Sequence, residues 1–296
     1  MKRSIRMILA AMLVLLAAGC KSEYDALLNG MDWDAKYEGA FKYFNEGKYG
    51  HAAQLFESLS QLSSGTSRDD TVQYYWGLSN YRYKDYVTAE TNFSHFLMNF
   101  PASPMASDAA FLRIDCLYRS TLRYELDQTP TTNAIGIINL YLVEHPDSEH
   151  RAVCEQMLKE LGERLDKKAF ENAKLYYKME YYNSARVAFV NVLKDNADNI
   201  YREQILYYTA MSSYKYAQMS VEGKQRERYL TFIDDYYNFV GEWPDSVYKR
   251  ELDVLYRRAQ KALGRYSGTE EDLMEKEKDF ERERSKILKQ SAEDAS

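Results

Sequence analysis

Apolar and small residues recur along the chain at intervals of three and four, the spacing that places them on one face of an α-helix. Four segments share one arrangement. A first helix carries a small residue and an aromatic ring, a short turn follows, and a second helix opens near a tyrosine and carries an alanine. The alanines that anchor the four second helices are Ala52, Ala89, Ala134 and Ala185. Because alanine lets two helices cross closely, this pattern predicts a series of packed helix pairs.

The repeated unit is about 34 residues long with insertions, which is the length of the tetratricopeptide (TPR) helix-turn-helix. A fifth, degenerate pair covers residues 202–219 and 224–240, with Phe232 in the slot that alanine fills elsewhere, and a terminal helix covers 247–263. We therefore predict an all-α fold, a TPR-like superhelical solenoid of about five helix-turn-helix repeats with ten or more helices, over residues 33–263. We place all five prolines between the predicted helices, at Pro101, Pro104, Pro130, Pro146 and Pro244.

The N-terminus has the features of a secretory signal peptide. Lys2, Arg3 and Arg6 precede an uncharged, largely apolar stretch at residues 7–18. This stretch is too short for a transmembrane helix, which needs about 20 apolar residues. We predict that residues 1–19 are a signal peptide.

The junction after this stretch resembles a bacterial lipobox. Cys20 directly follows Ala-Ala-Gly, although Ala17 stands where a lipobox usually has leucine. We expect Cys20 to be lipidated and residues 20–32 to form a lipidated linker; an ordinary signal peptide with an incidental cysteine is the alternative. Lys21 replaces the aspartate of an inner-membrane retention signal, and no acidic export tag follows. We therefore expect a lipid-anchored protein at the outer membrane that faces the periplasm.

Composition changes at the C-terminal end, where residues 264–296 form a charged tail. Leu273, Phe280 and Ile287 are spaced by seven, which is one narrow apolar seam if the segment is helical. The tail is either a solvated, partly disordered segment or a helix that docks on a partner.

The net charge and the absence of known motifs limit the classes of function that the sequence supports. The net charge is −6 and the sequence pI about 5.5, so the chain lacks the basic surface expected of a nucleic-acid-binding protein. We find no motif of a hydrolase, metalloprotease or nucleotide-binding enzyme, and predict no catalytic residue, metal site or cofactor. Adjacent acids such as Asp69-Asp70 and Asp234-Asp235 are expected to be solvated caps or faces. Cys116 and Cys154 each lie in a predicted helix, where a buried thiol is favoured over a bridge.

Tyrosine is enriched, with 27 of 296 residues. Most of these rings occupy turns and packing slots of the repeats. A subset lies on the face of each first helix that lines the groove of a TPR stack, where rings and hydroxyls bind extended peptides. The candidate groove and partner contacts are Tyr37, Phe41, Phe44, Tyr74, Tyr81, Phe170 and Tyr177.

Several motifs resemble those of the BamD family, outer-membrane lipoproteins of the β-barrel assembly machinery. They are Leu-Asp-Gln-Thr-Pro-Thr at 126–131, His-Pro-Asp-Ser at 145–148, Ala-Lys-Leu-Tyr-Tyr at 173–177 and Tyr-Tyr-Asn-Ser-Ala at 181–185. The chain departs from the family at Leu126, where an arginine is usual, and at residues 194–197, which lack a proline turn. Its acidic, tyrosine-rich composition is similar to that of Bacteroidetes members.

The resemblance implies a non-catalytic scaffold. Its partners would be the periplasmic domains of the barrel-inserting outer-membrane protein, unfolded outer-membrane protein clients, and the membrane through the lipid anchor. Two alternatives stay open: a periplasm-facing TPR lipoprotein that coordinates cell-envelope or peptidoglycan factors, and a glycan-binding outer-membrane lipoprotein.

Overall fold

The computed structural model describes residues 23–265 and, beyond them, residues 275, 278 and 282. Over residues 23–265 the chain forms twelve helices and no strand, which confirms the predicted all-α fold. They are α1 (Glu23–Asn29), α2 (Trp33–Asn45), α3 (Tyr49–Ser60), α4 (Asp69–Tyr83), α5 (Tyr86–Asn99), α6 (Ala106–Arg119), α7 (Thr129–Glu144), α8 (Arg151–Lys178), α9 (Tyr182–Asp195), α10 (Arg202–Gln218), α11 (Glu222–Glu242) and α12 (Lys249–Ala262).

The helices divide into two compact units, Met1–Leu158 and Lys159–Ser296, and the boundary falls inside α8. In the first unit each helix from α1 to α6 packs against the next one along the chain. In the second unit α9, α10, α11 and α12 pack in the same sequential way, and α12 also contacts α10. Short connections between packed neighbours make these helical hairpins, as TPR-like repeats require.

The predicted alanine slots are fully buried in the core. Ala52, Ala89, Ala134 and Ala185 are all 0% exposed. In the degenerate fifth pair the equivalent position is filled by Phe232, which is equally buried. The fifth pair therefore accommodates a ring where the other four pairs have an alanine.

Three of the turns inside hairpins have the same backbone conformation. Gly47, Lys84 and Glu180 have φ values of +75°, +68° and +64°, which is the left-handed region. In each turn the residue that follows donates its backbone N–H to a carbonyl five residues earlier, for example Lys48 to Tyr43 at 2.9 Å. This is the hydrogen-bond pattern of a helix C-terminus that reverses the chain. Only one of the three positions is glycine, so two non-glycine residues adopt a conformation that usually favours glycine.

Two sequence assignments differ from the structure. Pro130 does not lie between helices but is the second residue of α7. A proline is tolerated there because the first-turn N–H groups have no partner within the helix. Residues 23–29 of the predicted linker form α1, and Leu27 on this helix packs against Gly39 of α2. Helical structure thus begins before residue 33.

Several predicted features lie outside the described residues. These are the signal peptide at 1–19, the lipidation site Cys20, and the seam of Leu273, Phe280 and Ile287 in the tail. In the part of the chain that the structure describes, no helix combines the length and apolar character needed to cross a bilayer.

Candidate functional site

An aromatic surface on the first unit is the clearest candidate for a binding site. It consists of Trp33, Tyr37, Phe41 and Phe44 on α2 and Tyr75 on α4, and we call it the N-terminal aromatic face. All five rings are partly buried against the core. The first three residues are spaced by four along α2, so consecutive helical turns carry their rings on one side.

The rings contact one another in a continuous row. Trp33 stacks on Tyr37 with 5.0 Å between centroids, and Tyr37 lies 4.9 Å from Phe41. Tyr75 meets both Phe41 and Phe44 edge-on, at 4.7 and 5.3 Å. Because each ring is held by its neighbours, the face presents an apolar surface of fixed shape.

A cation borders one end of this face. The guanidinium of Arg68 lies 5.2 Å from the Trp33 ring and 5.0 Å from the Tyr37 ring. Its Nη1 donates to the carboxylate of Asp34 at 3.2 Å. The arrangement combines a cation–π contact with an exposed ion pair, so the end of the face can accept an acidic or carbonyl group while the rings accept apolar side chains.

Phe56 packs against the buried side of the face. It is fully buried, and its centroid lies 5.1 Å from Phe41 and 5.9 Å from Tyr75. The predicted contacts Tyr37, Phe41 and Phe44 therefore lie together, half-exposed, on a rigid base. Trp33 and Tyr75 complete the face and were not predicted, although the spacing of four from Trp33 to Tyr37 was visible in the sequence.

Two predicted contacts are core residues. Tyr74 is 7% exposed and Phe170 is 4% exposed. Tyr74 packs against Phe93 and Phe96, and its hydroxyl donates to Asp108. The prediction that Tyr74 and Phe170 are surface contacts is therefore wrong. Their rings point into the core of the helix packing and not toward the groove.

Tyr81 and Tyr177 are half-buried and engaged within their own units. The Tyr81 hydroxyl donates to Asp115 at 2.7 Å, and the same carboxylate accepts from Arg119. Burial, with the hydrogen bond to Asp115, raises the pKa of Tyr81 to about 12. Tyr177, in the second unit, contacts Tyr182 and Tyr208 at 5.4 and 5.1 Å, and burial raises its pKa above the usual value. Neither hydroxyl ionises near neutral pH.

Two acids that were expected to be solvated are buried. Asp69 accepts from Ser63 Oγ at 2.9 Å and from the backbone N–H of Gly65 at 3.1 Å. Asp235 accepts two hydrogen bonds from Arg186, at 2.7 and 2.8 Å, and one from Ser213. The expectation that these acids lie on solvated faces is wrong, because each is satisfied by groups brought to it by folding.

The two cysteines of the described chain are buried and unbridged. Burial raises the pKa of the Cys116 thiol to about 12 and also raises that of Cys154. They behave as small apolar core residues, which confirms the favoured interpretation of the sequence. In the same part of the chain, no three His, Cys, Asp or Glu side chains are grouped so that they could hold a metal ion.

Comparison with known proteins identifies the family. A sequence model of the family described as YfiO, outer membrane lipoprotein, matches residues 30–230. The chain is 26% identical over 238 residues to a protein of Aquifex aeolicus named putative outer membrane protein assembly factor BamD, covering 79% of this chain and 77% of that one.

Solved TPR structures show more distant similarity. The TPR2AB domain of yeast Sti1 in its complex with pHSP90 is 14% identical, with a TM-score of 0.38 and coverage of 89% of this chain and 95% of that one. A tetratricopeptide repeat protein of Parabacteroides merdae is 11% identical, with a TM-score of 0.32 and coverage of 83% and 78%. The family match extends over most of both units and agrees with the resemblance drawn from the sequence motifs. This chain is a member of the YfiO (BamD) family of outer membrane lipoproteins.

Proposed function

We propose that this protein is a lipid-anchored scaffold of the machinery that assembles β-barrel proteins in the outer membrane. The single observation that carries the proposal is the family match over residues 30–230, supported by the assembly-factor name of the Aquifex aeolicus relative. The described helices pack in sequence and supply surfaces on which partners can dock. The protein acts by holding partners together rather than by catalysing a reaction.

The anchor and orientation are part of this proposal. Lipid on Cys20 holds the mature chain in the outer membrane, because two or more acyl chains bind a bilayer stably. The repeats then face the periplasm, where unfolded clients arrive. The periplasmic domains of the barrel-inserting protein are the expected stable partner.

The N-terminal aromatic face is the proposed contact for clients. Strands of membrane β-barrels alternate apolar and polar residues and carry aromatic residues at both membrane interfaces. An extended client segment presents such side chains on one face at every second position, about 6.6 Å apart. The row of rings, in which the Tyr37 and Phe41 centroids lie 4.9 Å apart, offers these side chains a continuous apolar surface. The phenol hydroxyl of Tyr37 adds a polar group that can bond the client backbone.

Site-specific photocrosslinking tests this function in the native envelope. A photoreactive phenylalanine analogue is placed at Tyr37 or Phe44, and at Tyr83 as a control, since Tyr83 is a 63% exposed ring of the same unit that does not belong to the face. We expect unfolded outer-membrane proteins to crosslink at Tyr37 and Phe44 and not at Tyr83. Equal crosslinking at all three positions, or crosslinks only to cell-wall factors, would contradict the proposal.

A further inference from the structure

The first helix of the described chain lies antiparallel to α2. Glu23, at the start of α1, pairs with Lys42 near the end of α2 at 2.7 Å. In the last turn of α1 the Leu28 carbonyl accepts a hydrogen bond of 3.0 Å from Nζ of Lys36, which lies in the first turn of α2. The start of α1 is therefore beside the turn that joins α2 to α3.

Several further contacts fix α1 on the first pair. The Tyr24 hydroxyl donates to Gln54 of α3, and the Tyr24 ring lies 4.2 Å from the ring of His51. Leu27 packs so closely on α2 that a Cβ at Gly39 would lie 2.6 Å from its side chain. Although α1 lies in the segment expected to be a linker, it is a packed part of the first unit.

The predicted lipid attachment site is only a short distance from this helix along the chain. Lys21 and Ser22 are the two residues between Cys20 and Glu23. An extended residue spans at most about 3.6 Å, so three steps of the chain reach about 11 Å. Acyl chains on Cys20 would therefore hold the turn between α2 and α3 close to the membrane surface.

The turn of the second pair lies beside the turn of the first. A Cβ at Gly50 would lie 3.0 Å from the ring of Tyr83, so the two turns are neighbours. We call the surface formed by residues 45–50 and 82–87 the turn edge. Its exposed basic and apolar members are Lys48, Arg82, Tyr83, Lys84 and Val87. Tyrosine and basic side chains of this kind favour the interface between a membrane and water, because each combines an apolar part with a polar end.

The turn edge differs in charge from the rest of the chain. It carries three basic and two acidic residues, whereas the whole chain has a net charge of −6. Both acids have partners within the protein: Glu46 pairs with Lys48 at 2.8 Å, and Asp85 accepts from the backbone N–H of Thr88 at 3.2 Å. Arg82 and Lys84 are exposed. The edge therefore has the charge that attracts an anionic lipid surface.

We propose that the turn edge of the first unit rests on the surface of the lipid bilayer. Tyr83 and Val87, which are 63% and 70% exposed, lie among the lipid headgroups, and Arg82 and Lys84 lie beside lipid phosphates. The inference rests on the lipid anchor of the proposed function and goes beyond it, because it assigns the surface of the protein that meets the membrane.

This contact would also orient the N-terminal aromatic face. α2 has 13 residues and is about 20 Å long. Phe44 lies at the membrane end, where its ring is 5.4 Å from that of Tyr49, and Trp33 lies at the far end. Met31, which is 94% exposed, comes just before that far end. Two exposed side chains, Tyr83 and Met31, are thus expected at different distances from the bilayer.

Fluorescence quenching by lipid-bound nitroxide tests the proposal. The mature, full-length, lipidated chain carries a fluorescent amino acid at Tyr83 or, as the matched control, at Met31. It is reconstituted in vesicles of phosphatidylethanolamine and phosphatidylglycerol that contain a lipid with nitroxide on its headgroup. We expect quenching at position 83 to exceed that at position 31 about threefold or more. Equal quenching at the two positions, or stronger quenching at position 31, would overturn the proposal.

A charge variant tests the role of the two exposed cations. Arg82→Glu combined with Lys84→Glu should reduce the quenching at position 83 by about half, since both side chains would then repel anionic lipid. The same variant in vesicles of phosphatidylcholine alone is the control and should show no such reduction. Unchanged quenching of the variant in the anionic vesicles would also overturn the proposal.

The vesicle experiment separates this inference from the assembly function. No client or barrel protein takes part, so equal quenching at positions 83 and 31 would refute the membrane contact without bearing on barrel assembly. A lipidated chain that does not bind vesicles at all would refute the anchor and the membrane contact together.

Discussion

The hydroxyl of Tyr81 on α4 donates a hydrogen bond of 2.7 Å to Asp115 on α6, which lies 34 residues further along the chain. Tyr74, two helical turns earlier on α4, bonds to Asp108 at the same separation of 34. Each bond joins the first helix of one pair to the first helix of the next. Their separation equals the length of the repeat, so these bonds fix how successive pairs are aligned in the first unit.

Replacing Tyr81 by phenylalanine should destabilise the first unit. Asp115 is almost fully buried and would lose one of its donors, keeping Arg119. A hydrogen bond to a charged acceptor contributes about 1.5 kcal/mol, and we expect a loss of this size in the free energy of unfolding. Urea denaturation followed by circular dichroism measures it. Tyr83→Phe removes the same atom from an exposed ring and should change stability by less than about 0.5 kcal/mol.

Gly77→Ala should destabilise the same unit by a steric mechanism. A Cβ at Gly77 would lie 2.9 Å from the ring of Phe93, which is fully buried. Overpacking of this kind costs about 1–3 kcal/mol. The matched change, Gly136→Ala in α7, meets no atom within 4 Å. It should stabilise the protein by about 0.5–1 kcal/mol through helix propensity, so equal effects of the two substitutions in thermal melts would contradict the packing described here.

Removing Arg186 should be far more costly than removing Arg202. Both guanidinium groups bind one carboxylate through two hydrogen bonds, Arg186 to Asp235 and Arg202 to Glu242. Asp235 is 5% exposed, however, and Arg186→Leu would leave its charge buried with only Ser213 as partner.

We expect Arg186→Leu to lower the stability of the second unit by about 3 kcal/mol. Arg202→Leu breaks an exposed pair and should cost at most about 1 kcal/mol. Chemical denaturation of the two variants in parallel gives the comparison. A cost for Arg202→Leu that equals or exceeds that for Arg186→Leu would show that burial does not control the strength of these pairs.

Cys20→Ala should release the protein from membranes. The thiol is the predicted lipid attachment site, and without acyl chains the mature, acidic chain has no other predicted anchor. Fractionation should move the variant to the soluble periplasmic fraction, while Cys116→Ala, a change at a buried core thiol, should remain with the membrane. Retention of Cys20→Ala in the outer membrane would mean that another contact anchors the chain.

The sequence predicted the helix pairs well because their signals are local. Ala52 and Ala185 mark close crossings through spacing and side-chain size alone, and both are fully buried. The turns at Gly47, Lys84 and Glu180 lie where the repeated arrangement predicts a short turn between two helices. Features of this kind depend on residues within about one helical turn of each other, which periodicity can reveal.

Contacts between distant residues could not be predicted in the same way. Asp235 pairs with Arg186, which lies 49 residues away in the sequence. The sequence alone does not show which of the adjacent acids, Asp234 or Asp235, is buried. Tyr74 was placed in the groove because helical spacing does not fix which side of α4 faces α6. Only the packing of the next pair decides this, so the sequence identified Tyr37, Phe41 and Phe44 of α2 but missed Tyr75 of α4.

The central claim is that this protein supports assembly of barrel proteins in the outer membrane. Its most direct test is conditional depletion in the native cell, with quantification of folded barrel proteins in the outer membrane over time. We predict that folded barrels decline as the protein is lost, that unfolded forms accumulate, and that the unmodified chain restores both. Normal levels of folded barrel proteins after full depletion would contradict the claim.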